Sequence, residues 1–148
     1  MEGKPAVRKA KATEGKSAIR IATENDFVEV GKLIYSLFPE ARPLHSEKDV
    51  YFVAEEKGSF CGFVHVRLLR SSLELQGLGV LPAFRDRGLG KALVSHALKW
   101  AEKTHPHLSV HLKVKPTNAS AISLYLKEGF VVGQDDGDAF KLVRAKPN

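Results

Sequence analysis

Apolar and polar residues alternate in several short segments of the chain, and this period of two is typical of half-buried strands. Strands are predicted at Ala18 to Ala22, Val50 to Glu55, Phe60 to Leu69, Leu73 to Val80 and Leu108 to Val114. A hairpin is predicted after Phe130, with its turn at Asp135-Asp136-Gly137-Asp138. With both arms of this hairpin, the pattern predicts a sheet of about seven strands.

Three other segments repeat their apolar residues at helical spacing. The first is predicted to begin near Thr23 and Asp26 and to run through Phe38. The second follows Gly88 and Gly90, and the third lies between Asn118, a favourable N-cap, and Gly129, a favourable C-terminal stop. Together with the strands, these helices predict an α/β fold in which a mixed central sheet carries helices on both faces.

A glycine-rich basic segment connects the fourth strand to the second helix: Val80-Leu-Pro-Ala-Phe-Arg85-Asp-Arg-Gly88-Leu-Gly90-Lys91. Glycines without a Cβ allow a ligand to approach the backbone closely. The free N–H groups and the positive dipole end at a helix N-terminus favour an anion. Three basic side chains around the same point, opposed only by Asp86, strengthen the prediction of a phosphate site.

Two common phosphate motifs do not fit this segment. A P-loop requires glycine where Arg85 stands and Ser or Thr where Ala92 stands, which counts against a nucleotide hydrolase. The dinucleotide fingerprint that Gly77 and Gly79 would begin has Pro82 in place of its third glycine.

What remains is Arg-x-x-Gly-x-Gly after a strand ending in Val-x-Pro, and this resembles motif A of the GNAT superfamily of N-acetyltransferases. The run from Asn118 through Ala121, Ile122, Leu124 and Tyr125 to Gly129-Phe130 is similar to the second half of the same superfamily. The resemblance covers roughly Ile19 to Val143. It implies a GNAT-like acyl-CoA N-acyltransferase fold with acetyl-CoA as cosubstrate. The cofactor-binding residues that it implies are Leu78, Gly79, Val80, Arg85, Asp86, Arg87, Gly88, Leu89, Gly90, Lys91, Asn118 and Tyr125.

The resemblance also implies how acetyl transfer is catalysed. The strand around Leu78 to Val80 would bind the pantetheine arm, and one of its amides would polarise the thioester carbonyl. Gly77 and Gly79 suit such a close approach, although a plain β-bulge is the alternative. Tyr125 would be the acid for the thiolate leaving group, whereas the residue pattern alone predicts a core tyrosine. For Asn118, cofactor contact and helix capping remain equally open.

The general base is less well defined. The branch of the superfamily that acetylates protein N-termini has a Glu five positions before the motif Asn, and here that position is Lys113. Glu74 lies eleven residues before Arg85, the spacing of the catalytic Glu in histone-type members, but a solvent-facing strand residue is the alternative. His65 and His111 could act through water or be ordinary sheet histidines. Their scatter gives no metal-ligand spacing, and no metal is predicted.

Composition adds three expectations. A chain of 148 residues with 43% hydrophobic content suits one domain, predicted at residues 18–148, and no apolar window is long enough for a membrane helix. Residues 1–17 hold half of the net charge of +6 and are predicted to be a disordered basic tail, which either contacts nucleic acid, ribosome or an acidic protein or is simply solvated. The single cysteine, Cys61, is predicted to be a core residue in a cytoplasmic protein.

The predicted reaction is direct transfer of an acetyl group from acetyl-CoA to a primary amine of a peptide or small molecule. The amine would enter between residues 36–47 and residues 134–138, where Asp135, Asp136 and Asp138 either attract a cation or only form the turn. The alternative is a non-catalytic acetyl-CoA sensor or scaffold, which Lys113 favours and Tyr125 opposes. The protein is expected to be a monomer or a homodimer.

Overall fold

The computed structural model describes residues 18–145, so the predicted basic tail lies outside the described residues, as do residues 146–148. Seven strands and three α-helices follow one another along the described chain. The strands are β1 (Ala18–Ile21), β2 (Asp49–Glu56), β3 (Ser59–Leu68), β4 (Ser72–Val80), β5 (Ser109–Val114), β6 (Val131–Asp135) and β7 (Phe140–Arg144). The helices are α1 (Phe27–Leu37), α2 (Leu89–Thr104) and α3 (Ala119–Lys127).

All seven strands form one sheet in the order β1-β2-β3-β4-β5-β7-β6. Neighbouring strands are antiparallel except β4 and β5, which are parallel. The parallel pairing joins only Ser72–Glu74 to Ser109–His111, and β4 and β5 separate toward their carboxyl ends. The predicted mixed sheet of about seven strands is confirmed, and it contains a gap between β4 and β5.

Helices cover both faces of the sheet, as predicted. One face packs against α2 and α3 through a large core that includes Val64, Leu73 and Leu93. The other face packs against α1 through a smaller core, where Leu33 meets Phe63. Because side chains alternate along a strand, those of β4 point in turn toward α2 and α3 and toward α1. These two sides of the sheet are called the α2/α3 face and the α1 face.

The first helical segment begins at the predicted cap residues, Thr23 and Asp26, which form a capping box. A short 3₁₀ helix, Glu24–Asp26, precedes α1. The Asp26 carboxylate accepts a hydrogen bond from the Thr23 amide at 2.7 Å and pairs with Arg20 at 2.7 Å. The hydrogen bond from Arg20 is the main reason why the pKa of Asp26 falls to about 2. A carboxylate that is engaged in this way fixes a tighter turn before the helix continues.

Cys61 is fully buried in the sheet, and burial raises the pKa of its thiol to about 12. The prediction of a core residue is therefore confirmed. Within residues 18–145, none of the helices has the length and apolar character needed to cross a membrane.

Candidate functional site

The loop between β4 and α2 offers backbone amides to an anion. Asp86 has a φ of +64° and Gly88 a φ of +78°, both in the left-handed region. Left-handed residues alternating with ordinary ones turn successive N–H groups toward one side, which forms an anion-binding nest. Gly88 is also the N-cap of α2, whose first N–H groups lack intrahelical partners. The predicted phosphate loop thus has a backbone suited to the pyrophosphate of coenzyme A.

Two arginines of this loop fix its shape. The Nε of Arg85 donates a hydrogen bond to the Val80 carbonyl oxygen at 2.9 Å and closes the loop back onto β4. The guanidinium of Arg87 binds both carboxylate oxygens of Glu56 at 2.8 Å and lies 5.3 Å from the centre of the Phe84 ring. These contacts order the loop, whose backbone and exposed Lys91 are accessible to a ligand. Contacts of Arg85 and Arg87 with the cosubstrate stay predictions.

The gap between β4 and β5 exposes backbone groups of β4. The Leu81 amide donates to the Cys61 carbonyl oxygen at 2.8 Å and therefore faces β3 in this antiparallel ladder. Because the direction alternates, the amides of Leu78 and Val80 face away from β3 and into the gap. These are residues whose backbone the sequence predicted to hold the pantetheine arm.

The two glycines of β4 have different surroundings. A Cβ at Gly79 would lie 2.8 Å from both Leu37 Cδ1 and Phe63 Cε1, so close packing of α1 requires this glycine. The β3–β4 register shifts between the pairs His65↔Gly77 and Val66↔Leu75, which places a bulge at Gln76. The predicted bulge is therefore present, and packing against α1 gives Gly79 a structural reason to be glycine; its contact with the cosubstrate stays a prediction.

Tyr125 lies on α3 with 8% of its surface exposed, and its ring packs edge-on against Phe130 at 5.6 Å. Burial raises the pKa of its phenol to about 12. Among the described residues, the hydroxyl finds no hydrogen-bond partner. A buried phenol that stays protonated and has no local partner is a donor available to a ligand.

Asn118 caps α3, because its Oδ1 accepts a hydrogen bond from the Ala121 amide at 3.2 Å. The capping interpretation is confirmed by this contact. A contact between Asn118 and the cosubstrate stays a prediction.

Glu74 lies on the α1 face of β4, where β4 and β5 begin to separate. Its register partners are Arg67 on β3 and His111 on β5. No hydrogen bond or ion pair engages its carboxylate within residues 18–145. Burial lowers the pKa of His111 more than the nearby Glu74 raises it, so the imidazole is neutral at physiological pH. An unengaged carboxylate and a neutral imidazole therefore stand side by side at the apex of the gap.

Lys113 lies two residues beyond His111 on the same face of β5, and its register partner is Lys141 on β7. The position of the missing Glu is thus part of a cationic pair beside the gap. A mechanism that copies a carboxylate at this position does not apply to the chain.

A buried cluster of charged side chains around Asp49, next to the α1 face, was not identified from the sequence. The Asp49 side chain is fully buried; it contacts His65 Nε2 at 2.7 Å and Arg67 at 2.9 Å. The same carboxylate accepts from the Ser46 hydroxyl at 2.8 Å. Burial favours the neutral acid, but the hydrogen bonds from Ser46, His65 and Arg67 together hold the pKa of Asp49 below its usual value.

This cluster anchors residues 38–48, which connect α1 to β2, and this segment includes most of the predicted acceptor loop. The Tyr51 ring stacks on His65 at 4.0 Å, and its hydroxyl donates to the Leu44 carbonyl oxygen at 2.6 Å. His45 stacks on Phe27 of α1 at 4.1 Å. The segment that borders the α1 face is therefore tied to β2, β3 and α1 by side-chain hydrogen bonds and ring stacking.

The aspartates of the β6–β7 turn are used by the turn itself. Asp135 accepts from the Gly137 amide at 2.9 Å, and Asp136 accepts from the Ala139 amide at 2.8 Å. For these two residues the conformational interpretation is confirmed, and attraction of a cationic amine stays a prediction. The part of the chain that the structure describes contains no group of three or more His, Cys, Asp or Glu residues placed to hold a metal ion.

Three features together define an acyl-CoA-dependent N-acyltransferase. They are the separated parallel strands β4 and β5 in a mixed sheet, the anion nest at the start of α2, and the free β4 amides between them. A model of the acetyltransferase (GNAT) family matches residues 16–130. The chain belongs to this family and is an acetyl-CoA-dependent N-acetyltransferase.

Curated relatives and solved structures agree with this assignment. An N-alpha-acetyltransferase of Sulfolobus acidocaldarius is 30% identical over 131 residues, covering 76% of this chain and 78% of the relative. N-alpha-acetyltransferase 50 of Danio rerio is 25% identical over 140 residues, covering 88% of this chain and 83% of the relative.

The fold is shared with two solved structures that contain the cosubstrate or its product. The PaiA N-acetyltransferase of Thermoplasma acidophilum in complex with coenzyme A is 21% identical, with a TM-score of 0.68 over 87% of this chain and 98% of that chain. Arabidopsis thaliana NAA60 in complex with acetyl-CoA is 20% identical, with a TM-score of 0.71 over 86% of this chain and 97% of that chain.

The nest predicts a specific defect for Gly88→Ala. An L-residue in the left-handed region costs about 1–2 kcal/mol, so the loop backbone should shift and its amides should lose their convergence. We expect the Kd for acetyl-CoA, measured by calorimetric titration, to rise about tenfold or more, equivalent to the loss of one or two charge-assisted hydrogen bonds.

Gly58→Ala is the matched control for this substitution. Gly58 has a φ of +82° in the β2–β3 turn, and a Cβ meets nothing within 4 Å at either glycine. Both variants should lose similar stability, but only Gly88→Ala should lose affinity for acetyl-CoA. Equal affinity in the two variants would contradict the assignment of the loop.

Proposed function

We propose that the protein acetylates the α-amino group at the N-terminus of a peptide or protein. The observation that carries this proposal is the α1 face at the apex of the β4–β5 gap, where the unengaged Glu74 carboxylate lies on the same strand as the free Leu78 amide, four residues before it. Relatives that are similar over most of this chain are named N-alpha-acetyltransferases, which supports the same class of acceptor.

The two faces of the sheet suit two substrates. The α2/α3 face contains the nest, α2 and the Tyr125 side chain. Acetyl-CoA is therefore proposed to bind from that side. The gap passes through the sheet, and the α1 face beyond it bears Glu74 and His111. An amine that enters from the α1 face would meet the thioester without crossing the bound cosubstrate.

The proposed reaction assigns one role to each group. The amides of Leu78 and Val80 bind the arm and polarise the thioester carbonyl, which is electrostatic stabilisation by main-chain donors. The Glu74 carboxylate receives the proton from the acceptor ammonium, because only the neutral amine is nucleophilic. The Tyr125 hydroxyl donates a hydrogen bond to the departing sulfur. The new bond joins the amine nitrogen to the acetyl carbon as the carbon–sulfur bond breaks. The nitrogen then releases its second proton, which the departing thiolate takes up.

The role of Glu74 is tested by Glu74→Gln, which keeps the shape of the side chain and removes its charge. We expect kcat/KM for the amine to fall about 10²-fold, a typical contribution of a general base. The Kd for acetyl-CoA should not change, because Glu74 lies on the opposite face from the nest.

Glu29→Gln on the exposed surface of α1 is the control for the loss of one carboxylate, and its activity should be that of the wild type. If Glu74→Gln retains full activity between about pH 6 and 9, Glu74 is not the base.

The acceptor class is tested by thiol release from acetyl-CoA with matched amines. The panel contains peptides with a free N-terminus, the same peptides with a blocked N-terminus and one internal lysine, and polyamines. The proposal expects turnover with the free N-terminal peptides and little with the others. Preference for the blocked lysine peptide or for polyamines would overturn the acceptor class and leave the acetyltransferase assignment intact.

Three further expectations remain proposals of the sequence. Contact of residues 1–17 with nucleic acid or ribosome is suggested by their basic character. A cytoplasmic location is suggested by the single cysteine. The monomeric or homodimeric state is to be measured by light scattering.

A further inference from the structure

Gly77 stands at the boundary between a packed and an open part of the α1 face. It follows the Gln76 bulge on β4, with His65 as its partner on β3. Two residues further along the strand, Gly79 lies directly under Leu37 of α1. Three residues before Gly77, the Glu74 carboxylate is unengaged. Gly77 thus lies between the end of the helix packing and the proposed base.

The fold does not require glycine at this position. Gly79 has no room for a Cβ, but a Cβ at Gly77 would meet only the Phe63 ring, at 3.6 and 3.9 Å, which is ordinary van der Waals contact. The φ of Gly77 also lies outside the left-handed region. Neither steric crowding nor backbone conformation therefore explains the missing side chain.

The unfilled space is placed where an acceptor amine has to sit. Leu78 follows Gly77 directly, and its amide faces the gap that is proposed to hold the thioester. An amine that attacks the acetyl carbon there must have its own carbon atom beside Gly77 on the α1 face. The nearest surroundings, the Phe63 ring and Leu37 over the neighbouring Gly79, are apolar.

We propose that Gly77 leaves the space for the first side chain of the acceptor and thereby selects α-amines whose first residue has an apolar side chain larger than methyl. This inference rests on the proposed function. The carbon that bears an α-amine is branched and needs lateral space, whereas the carbon that bears the ε-amine of lysine is not. Closing the space over Gly77 should therefore affect branched acceptors selectively.

The test compares wild type and Gly77→Ala on peptides that differ only in the first residue, Leu or Gly, together with an N-terminally blocked lysine peptide. We expect the ratio of kcat/KM for Leu-first over Gly-first peptides to fall about tenfold or more, since one methylene in an apolar pocket discriminates by this amount. The Kd for acetyl-CoA and the urea midpoint should not change. Gly77→Val should lower the ratio further.

Gly31→Ala on α1 is the matched control, because a Cβ there meets nothing within 4 Å and no ligand is expected nearby. Its ratio of kcat/KM should equal that of the wild type. An unchanged ratio in Gly77→Ala overturns the inference, as does a urea midpoint clearly below that of the wild type, which would show that the fold itself requires glycine there. A wild type that binds acetyl-CoA but acetylates only the lysine peptide contradicts the proposed function, and the inference fails with it.

Discussion

Tyr125→Phe is expected to lower kcat about 10²-fold or more, the range found when an acid or a preorganised donor is removed from a developing charge. The phenol of Tyr125 is buried and has a pKa of about 12, so it is protonated across the physiological range. A thiol has a pKa near 8.5, and a donor with a higher pKa stabilises the thiolate mainly by a hydrogen bond. The activity should therefore show no alkaline loss from Tyr125 below about pH 11.

The substitution removes one oxygen atom and leaves the ring packed against Phe130. The free energy of unfolding should change little, because the hydroxyl has no hydrogen-bond partner among residues 18–145. Single-turnover thiol release and calorimetric titration separate turnover from cosubstrate binding. The control Tyr35→Phe removes a hydroxyl from a tyrosine that is 52% exposed on α1, and it should retain full activity. Equal turnover in the two variants would exclude Tyr125 from the reaction.

Asp49→Ala is expected to reduce the free energy of unfolding by about 3–5 kcal/mol, the cost of breaking a buried ion pair by removing one partner. The substitution leaves the buried His65 and the partly buried Arg67 without their shared carboxylate. It also removes the contact with Ser46 that holds residues 38–48. Urea unfolding measures the loss, and the KM for the amine should rise because the segment bordering the α1 face is released.

The pH dependence gives the same prediction an independent check. Because the pKa of Asp49 is lowered in the folded state, its contribution is present above the unfolded pKa of about 4 and is lost as the pH falls through the folded value. Asp49→Ala should lack this part of the acid-induced loss. Glu102→Ala, which breaks the surface pair with Arg144, should cost less than about 1 kcal/mol. Similar losses in the two variants would show that the Asp49 cluster is not a buried anchor.

The fold was predictable because its signals are local. Alternation fixed the β2, β3 and β4 positions within a residue or two, and Asn118 with Gly129 marked both ends of α3. The helical start at Thr23 and Asp26 was also predictable, because these two residues form a local capping box. The sequence pattern did not reveal that Asp26 also binds Arg20 of β1. That contact depends on the packing of two elements, and a pattern of apolar residues contains no information about it.

The site was predictable only in part, for the same physical reason. The anion nest needs residues that are consecutive in the chain, whereas the Asp49 cluster joins residues 16 and 18 positions apart. Asp49 and Tyr51, and likewise His65 and Arg67, alternate in phase along their strands, which is a signal for one shared face. Polar residues in that pattern normally indicate a solvent-facing side, so burial of the cluster could not be read from the sequence. The different space around Gly77 and Gly79 depends on where α1 crosses the sheet.

The short parallel seam has a consequence for the order in which substrates bind. Three residue pairs connect β4 to β5, so without a ligand the strands β1–β4 and β5–β7 are two half-sheets with unpaired backbone groups along the gap. A bound pantetheine arm supplies partners to those groups, and buried backbone groups without partners are costly. The apex that is proposed to receive the amine lies on both half-sheets, Glu74 on one and His111 on the other. If the amine enters at this apex, bound acetyl-CoA completes the surface that the amine meets, which gives a physical reason for the cosubstrate to bind first.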